Sequence, residues 1–232
     1  MTAGARVEGL GQWRARIADL YEGRTSDPIT RVLAVAVRRY GLAQDDFIAI
    51  IDGMAMDIEA PIVAPDDATL DLYCDRVASA VGRLSIRIFG EPTEAGRMVA
   101  HHLGRALQLT NIVRDVNEDA QRERLYLPSP LLRDYQVPAT PQAALVSPAL
   151  PKILAVMADR AEAHFGKAAQ AMQACDRRAM RPARLMAASY RPLLGLMRAR
   201  GFQGERVRLP LWRKIGLAAQ LILLADRRSE AL

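Results

Sequence analysis

Residues 93–120 read TEAGRMVAHHLGRALQLTNIVRDVNEDA, and this stretch decides the fold class. Apolar residues recur along it at the three- and four-residue spacing of an α-helix, and no alternating pattern indicates a strand. Pro92 immediately precedes it, next to a helix start where proline is tolerated. The stretch therefore predicts one long helix with an apolar face and a polar stripe.

The same helical spacing extends over almost the whole chain. Aromatic residues make up 5% of the 232 residues, and the scarcity of aromatics favours helix over sheet. The proline-rich residues 126–151 predict mostly loop and turn. We predict an all-α fold in a single domain spanning residues 1–232, with helices near 9–22, 28–40, 44–57, 67–89, 93–120, 148–175, 182–199 and 211–226.

Several residues mark where these helices begin and end. Gly41, Gly90 and Gly201 follow apolar stretches in the way that C-terminal caps do. The Asp45-Asp46 pair predicts an N-cap for the third helix. The small residues of 78–82 predict close contact between their helix and a neighbour.

Charge and cysteine content narrow the functional classes. The net charge of +6 suits acidic partners, which include phosphorylated substrates, nucleic acid and anionic membrane surfaces. Cys74 and Cys175 do not make a disulfide framework, so a reducing, cytoplasmic location is predicted. No apolar run approaches the ~18 residues of a membrane span. Residues 215–225 are interpreted as a terminal core helix or as a segment that lies on a surface.

Four polar side chains share one face of the long predicted helix. At about 100° per residue, Gln108, Asn111, Asp115 and Asp119 fall within an arc of roughly 80°. Two carboxylates one turn apart repel each other, and a hard divalent cation such as Mg²⁺ reverses that balance. The alternative is a solvated acidic stripe, which is the usual state of charges on a helix.

Two motifs in the sequence resemble those of a known enzyme family. QLTNIVRDVNED at 108–119, followed by Arg124-Leu-Tyr126-Leu-Pro128, resembles the second aspartate-rich motif of squalene and phytoene synthases. YCDRVASAVG at 73–82 is similar to the YCxxVAxxVG helix of the same family. Residues 72–90, with HHLGRALQ at 101–108, are most similar to bacterial members that make presqualene diphosphate in hopanoid biosynthesis.

The resemblance implies a fold and an activity. The fold would be an isoprenoid-synthase-type helical bundle around a central cavity. The activity would be the head-to-head condensation of two farnesyl diphosphates to presqualene diphosphate, with Mg²⁺ assisting the loss of diphosphate. Squalene formation with NADPH and phytoene formation from a longer substrate remain alternatives, as does a non-catalytic helical binding protein. Nucleic-acid binding is not expected, because no motif supports it and the acidic stripe opposes it. Lipid-soluble products would allow peripheral contact with the inner face of the membrane.

The resemblance also implies roles for individual residues. Asn111, Asp115 and Asp119 would bind magnesium and diphosphate, helped by Gln108, and Tyr73 matches the family's active-site tyrosine. Such a phenol can stabilise an allylic cation or help to move a proton. The residues expected to contact substrate are Arg76, Gln108, Asn111, Arg114, Glu118, Arg124 and Tyr126.

One family motif is expected to be missing. The first acidic motif normally lies upstream of a segment like Gln12-Trp-Arg-Ala-Arg, and only Met1 to Leu10 precede the matching part here. Asp71 and Asp75 have the right spacing, but they are expected to point away from Tyr73; Asp52 and Asp57 share a face poorly. The chain is interpreted as a fragment of an active enzyme, a degenerate paralogue, or a chain completed by another, and we favour the first.

Overall fold

A computed structural model describes residues 3–204, 206–208 and 216. Within these residues the chain is helical and forms no named strand, which confirms the all-α prediction. The α-helices are α1 (Ala3–Tyr21), α2 (Pro28–Tyr40), α3 (Gln44–Glu59), α4 (Asp67–Cys74), α5 (Ala80–Phe89), α6 (Glu94–Ala120), α7 (Ser129–Asp134), α8 (Pro141–Val146), α9 (Leu150–Ala171) and α10 (Arg181–Ala199). A π-helix (Asp75–Ser79) joins α4 to α5, and a 3₁₀ turn (Met172–Ala174) follows α9.

The helix ends follow the local sequence with one exception. Asp27 caps α2 by accepting bonds from the backbone N–H groups of Ile29 and Thr30, and Gly41 and Gly90 end α2 and α5 in the left-handed region. Gly201, just beyond α10, is also left-handed. The predicted Asp45-Asp46 cap is wrong, because α3 begins at Gln44, one residue before the pair, and its N-cap Ala43 makes no capping bond. Both aspartates lie in the first turn instead.

Other differences concern element boundaries. The predicted helix at 67–89 contains the π-helix, and α1 begins at Ala3 rather than near residue 9. The proline-rich segment holds two short helices, α7 and α8, each with a proline at its start. The helix predicted at 211–226 lies outside the described residues, apart from Gly216.

Helix α6 runs through the core and packs along α9. Its apolar face contributes Leu103, Ala106 and Ile112, and α9 contributes Met157 and Phe165, all of them buried. Burial of each large side chain stabilises the fold by about 1.5–3 kcal/mol. The packing leaves the polar stripe of α6 on a different face from this core.

Glycines bring the π-helix and α5 close to α6. A Cβ on Gly104 would lie 2.7 Å from Ser79, and one on Gly82 would lie 3.1 Å from Ala100. The close approach predicted for residues 78–82 is therefore present. It fixes the position of the helix that carries Tyr73 against the helix that carries the acidic residues.

A short backbone pairing links two connections of the fold. Leu125 N–H donates to Ile62 O at 2.8 Å, and Ala64 N–H donates to Leu125 O at 2.7 Å. This pairing holds the segment after α6 against the segment after α3. Arg124 and Tyr126 are thereby brought to the C-terminal end of α3. In the part of the chain that is described, no helix is long and apolar enough to cross a bilayer.

Candidate active site

The acidic face of α6 is built around Asp115. Its carboxylate accepts bonds from Arg114, at 2.7 and 2.6 Å, and from Arg206, at 2.6 and 3.3 Å. Burial alone would raise the pKa of Asp115, but the two guanidinium groups outweigh it and hold the pKa below its ordinary value. Arg206 also lies 3.5 Å from Glu118. Arg114, which is expected to contact substrate, therefore holds the neighbouring carboxylate of Asp115 in the structure.

Asp119, one turn further along α6, has the opposite electrostatic environment. Burial and the nearby charge of Asp115 raise its pKa to about 6, against the smaller lowering effects of Arg124 and Arg122. Its carboxylate forms no ion pair among the described residues. A half-buried carboxylate without a close cation is a group that a bound metal ion would stabilise.

Asn111 supplies a second indication of a missing partner. Its Oδ1 atom is buried and accepts no hydrogen bond from any described residue. A buried acceptor left unpaired costs about 1–3 kcal/mol, so an external donor or cation is expected there. Amide and carboxylate oxygens are the ligands that Mg²⁺ prefers, and Asn111, Asp115 and Asp119 fit that ion.

In the described part of the chain, all of the candidate metal ligands come from the single helix α6. No group of three or more His, Cys, Asp or Glu side chains there could hold a metal ion. Two carboxylates and an amide from one helix suit an ion that keeps several waters and shares its remaining positions with substrate phosphates. Gln108 is half-buried one turn before Asn111, where it extends the same polar face.

An arginine-lined cavity adjoins this face. Its volume is about 380 Å³, and its basic side chains are Arg114, Arg206 and Arg208. Ser189 and Tyr190 of α10 also line the cavity and carry hydroxyl groups. Guanidinium groups bind phosphate oxygens by two-point contacts, so the cavity can accept a diphosphate.

Tyr73 belongs to a second cluster that also contains Tyr126 and Asp57. The two tyrosine rings stack, with centroids 5.0 Å apart and an angle of 18° between their planes. Tyr73 Oη donates to Asp57 Oδ2 at 2.9 Å, and Tyr126 Oη donates to Asp57 Oδ1 at 2.6 Å. Arg124 donates to the main-chain oxygen of Asp57 at 2.9 Å. Four residues from α3, α4 and the segment after α6 therefore meet at one point.

Charged residues of the tyrosine cluster influence the pKa of Asp119 on the acidic face of α6. Arg124 lowers the pKa of Asp119, and the charge of Asp57 raises it slightly. The structure thus brings the predicted residues Tyr73, Arg124 and Tyr126 into the neighbourhood of the acidic face. Arg76 is separate from them, since it lies on the π-helix with its guanidinium 3.8 Å from Asp52.

The other acidic pairs are occupied elsewhere. Asp71 and Asp75 both bind Arg105. They do not point toward Tyr73, which agrees with the prediction from the sequence. Asp52 pairs with Arg14, and Asp46 accepts from Arg83 at 2.5 Å. None of these residues joins the acidic face of α6.

Asp57 is the functional residue that sequence reasoning missed. The sequence predicts that Asp52 and Asp57 do not form a metal pair, and in the structure Asp52 bonds to Arg14 instead. The hydrogen-bond partners of Asp57 lie 16 and 69 residues away along the chain. A signal was available only in the two tyrosines, whose buried hydroxyl groups each require an acceptor.

This fold and site define a prenyl-transferring enzyme of the all-α type, and the sequence profile of squalene/phytoene synthase matches residues 2–213. The chain belongs to the squalene/phytoene synthase family. It is 50% identical over 220 residues to a presqualene diphosphate synthase of Rhodopseudomonas palustris, covering 94% of this chain and 77% of that protein. It is 34% identical to a phytoene synthase of Thermus thermophilus, covering 96% of this chain and 77% of that protein.

Solved structures show the same fold. A dehydrosqualene synthase in complex with a ligand superposes with a TM-score of 0.80 at 24% identity, covering 95% of this chain and 79% of that one. A squalene synthase from Alicyclobacillus acidocaldarius superposes with a TM-score of 0.77, also at 24% identity, covering 85% of this chain and 75% of that one. The predicted isoprenoid-synthase type of helical fold is confirmed.

Proposed function

We propose that this protein joins two farnesyl diphosphates head to head and forms presqualene diphosphate. Relatives that are 50%, 47% and 46% identical bear the name of that synthase, which supports this product over phytoene. The observation that carries the proposal is the unpaired, buried Asn111 Oδ1 on the helix face of Asp115 and Asp119. For each product molecule, one diphosphate and one carbon-bound proton leave.

Asn111, Asp115 and Asp119 are the residues that would hold Mg²⁺. The ion supplies neutralisation of the negative charge that develops on the departing diphosphate. Arg114, which pairs with Asp115, lines the adjoining cavity and is placed to bind a diphosphate oxygen. Arg206 also lines the cavity and balances the charge of Asp115 and Glu118.

Tyr73 would act on the prenyl carbons. Its ring is buried among apolar side chains and stacks on Tyr126, so an allylic cation beside it would meet aromatic faces rather than water. Water that reached the cation would divert it to an alcohol. The cluster therefore protects the cation and presents a phenol oxygen to it.

The direct test is product formation from labelled farnesyl diphosphate with Mg²⁺ and without NADPH, analysed before and after phosphatase treatment. We expect presqualene diphosphate from the parent and at least about 100-fold less from Asp115→Asn. Asp71→Asn is the matched control. Asp71 precedes Asp75 by four residues, as Asp115 precedes Asp119, but it binds Arg105 and lies outside the site. Full activity in Asp115→Asn would overturn the proposed role of this helix face.

The alternatives give different results in the same assay. Squalene that appears only with NADPH would identify a reductive member, and product from a longer prenyl diphosphate would identify a phytoene synthase. Mg²⁺-dependent binding of a non-hydrolysable farnesyl diphosphate analogue without any turnover would identify a binding protein. We place the reaction in the cytoplasm, at or near the inner membrane face that would receive the product.

A further inference from the structure

A single carboxylate binds the hydroxyl groups of both buried tyrosines. Asp57 Oδ2 accepts from Tyr73 at 2.9 Å, and Asp57 Oδ1 accepts from Tyr126 at 2.6 Å, so each oxygen serves one phenol. The two hydroxyl oxygens are 3.4 Å apart, which is a weaker contact than either bond to the carboxylate. The Arg124 bond to the Asp57 main chain fixes the same residue from a third direction.

This arrangement determines where the two phenol protons point. A phenol has one proton, and a carboxylate is acceptor-only when ionised. Charge-assisted bonds of this kind are about twice as strong as neutral ones, so both protons are directed to Asp57. The lone pairs of the Tyr73 oxygen are then the part of the hydroxyl that remains for a substrate.

We propose that Asp57 is a positioning residue that makes Tyr73 an acceptor, and not a donor, toward the substrate in the reaction proposed above. A phenol held in this way accepts a proton from a substrate carbon as it passes its own proton to Asp57 Oδ2. The C–H bond breaks, its electron pair closes the new carbon–carbon bond, and one proton is left on the carboxylate. Release of that proton with the product restores the starting state.

Asp57→Asn is the informative substitution. The amide has nearly the same shape, but its nitrogen donates and must point at one of the two phenol oxygens. We expect kcat to fall about 100-fold, the usual contribution of a positioned proton acceptor, with KM for farnesyl diphosphate within about twofold of the parent. Asp57→Glu, which keeps the acceptor, is expected to recover part of the loss.

Asp52→Asn is the matched control on the same helix. Asp52 is the same residue type five positions earlier, but its partners are Arg14 and Arg76 and it touches neither tyrosine. We expect unchanged kcat and KM. A kcat for Asp57→Asn within twofold of the parent, or a rise in KM at constant kcat, would overturn the proposal.

A titration of tyrosine absorbance separates this proposal from the proposed function, because it needs no turnover. Burial raises the pKa of Tyr73 and of Tyr126, and the charge of Asp57 raises both further. In Asp57→Asn we expect the late-titrating tyrosines to ionise at lower pH than in the parent, although still above 10 because burial remains. An unaltered titration overturns the hydrogen-bond assignment regardless of activity. If the titration differs between Asp57→Asn and the parent but the parent forms no product, the hydrogen-bond assignment is supported and the proposed reaction is overturned.

Discussion

Two pairs of aspartates in this protein have identical spacing and opposite properties. Asp71 and Asp75 are one turn apart and bind Arg105, whose guanidinium is buried and also donates to Ser79. Asp115 and Asp119 are likewise one turn apart, but there the arginines reach only the first of the pair. The pKa of both Asp71 and Asp75 lies below its ordinary value, whereas that of Asp119 is raised to about 6.

The difference shows that a DxxxD spacing does not by itself make a ligand site. The first pair has its counter-charge supplied by the fold, from Arg105 and Arg83. The second pair keeps one carboxylate without a close partner, next to an amide oxygen that is also unpaired. The two pairs differ because the buried Arg105 of α6 lies against Asp71 and Asp75. The spacing of the aspartates does not reveal this arginine.

The largest expected effect is on the first pair. Arg105→Met leaves Asp71 without its cation and leaves Asp75 paired only with Arg83, which we expect to lower the free energy of unfolding by about 2 kcal/mol. Urea denaturation at pH 7 measures it. Arg97→Met is the control, because its pair with Glu94 is exposed and contributes at most about 0.5 kcal/mol. Equal losses of unfolding free energy in Arg105→Met and Arg97→Met would show that Arg105 does not stabilise the Asp71–Asp75 pair.

Asp119→Asn is expected to stabilise the fold. The folded state raises the pKa of Asp119 to about 6, so it binds a proton more tightly than the unfolded chain and loses stability as the pH rises through 4 to 6. Discounted for solvent screening, the gain in the variant above pH 7 is about 1–2 kcal/mol. Urea denaturation from pH 4 to pH 8 should show the gain disappearing near pH 4.

Asp71→Asn should behave in the opposite way in the same experiment. Hydrogen bonds from Arg105 lower the pKa of Asp71, so its charge stabilises the folded state at neutral pH and that contribution is lost as the pH falls below about 4. The variant is therefore expected to be less stable than the parent at pH 7. A loss of stability in both aspartate variants would remove the electrostatic distinction between the pairs.

Magnesium should stabilise through the second pair alone. With free Mg²⁺ at about ten times its dissociation constant, the free energy of unfolding should rise by roughly 1.4 kcal/mol, visible as a higher Tm. The increase should be lost in Asn111→Ala and in Asp119→Asn, and it should persist in Asp71→Asn. An increase that survives in Asn111→Ala would place the ion elsewhere.

The smallest effect concerns Arg206. Its pair with Asp115 is partly exposed, so Arg206→Gln should cost no more than about 0.5 kcal/mol of folding free energy. The same change removes a cation that competes with Mg²⁺ for Asp115, and the magnesium-dependent rise in Tm should become larger at a fixed low concentration. Isothermal titration calorimetry gives the affinity directly; a weaker affinity would mean that Arg206 does not compete.

Sequence patterns predicted the long helices and the acidic face well, because both depend on residues close together in the chain. The spacing of Gln108, Asn111, Asp115 and Asp119 fixes their common face as soon as a helix forms. The predicted caps at Gly41 and Gly90 likewise depend on local chemistry. The magnesium ligands and the catalytic role of Tyr73 remain predictions.

Long-range contacts could not be predicted in the same way. The partners of Asp57 meet it only after Leu125 pairs with the segment that follows α3. The counter-charge for Asp71 comes from Arg105, 34 residues later, and a buried arginine is indistinguishable in sequence from an exposed one. The π-helix was missed because its residues have the same apolar spacing as an α-helix over so short a length.

The π-helix at Asp75–Ser79 determines the direction in which Tyr73, on the preceding α4, points relative to α5. Ala80 N–H bonds to Asp75 O, five residues back, where a regular helix would use the residue four back. A wide turn takes up one more residue than a regular turn, so winding residues 75–79 as a regular α-helix at unchanged chain length would rotate everything before them by about 100° relative to α5. Because Gly82 fixes α5 against α6, the rotation would fall on Tyr73 and carry it away from Asp57. A single-residue deletion within 75–79 that converts the wide turn to a regular one should instead keep Tyr73 on the face that meets Asp57, because the shorter chain and the tighter turn offset each other.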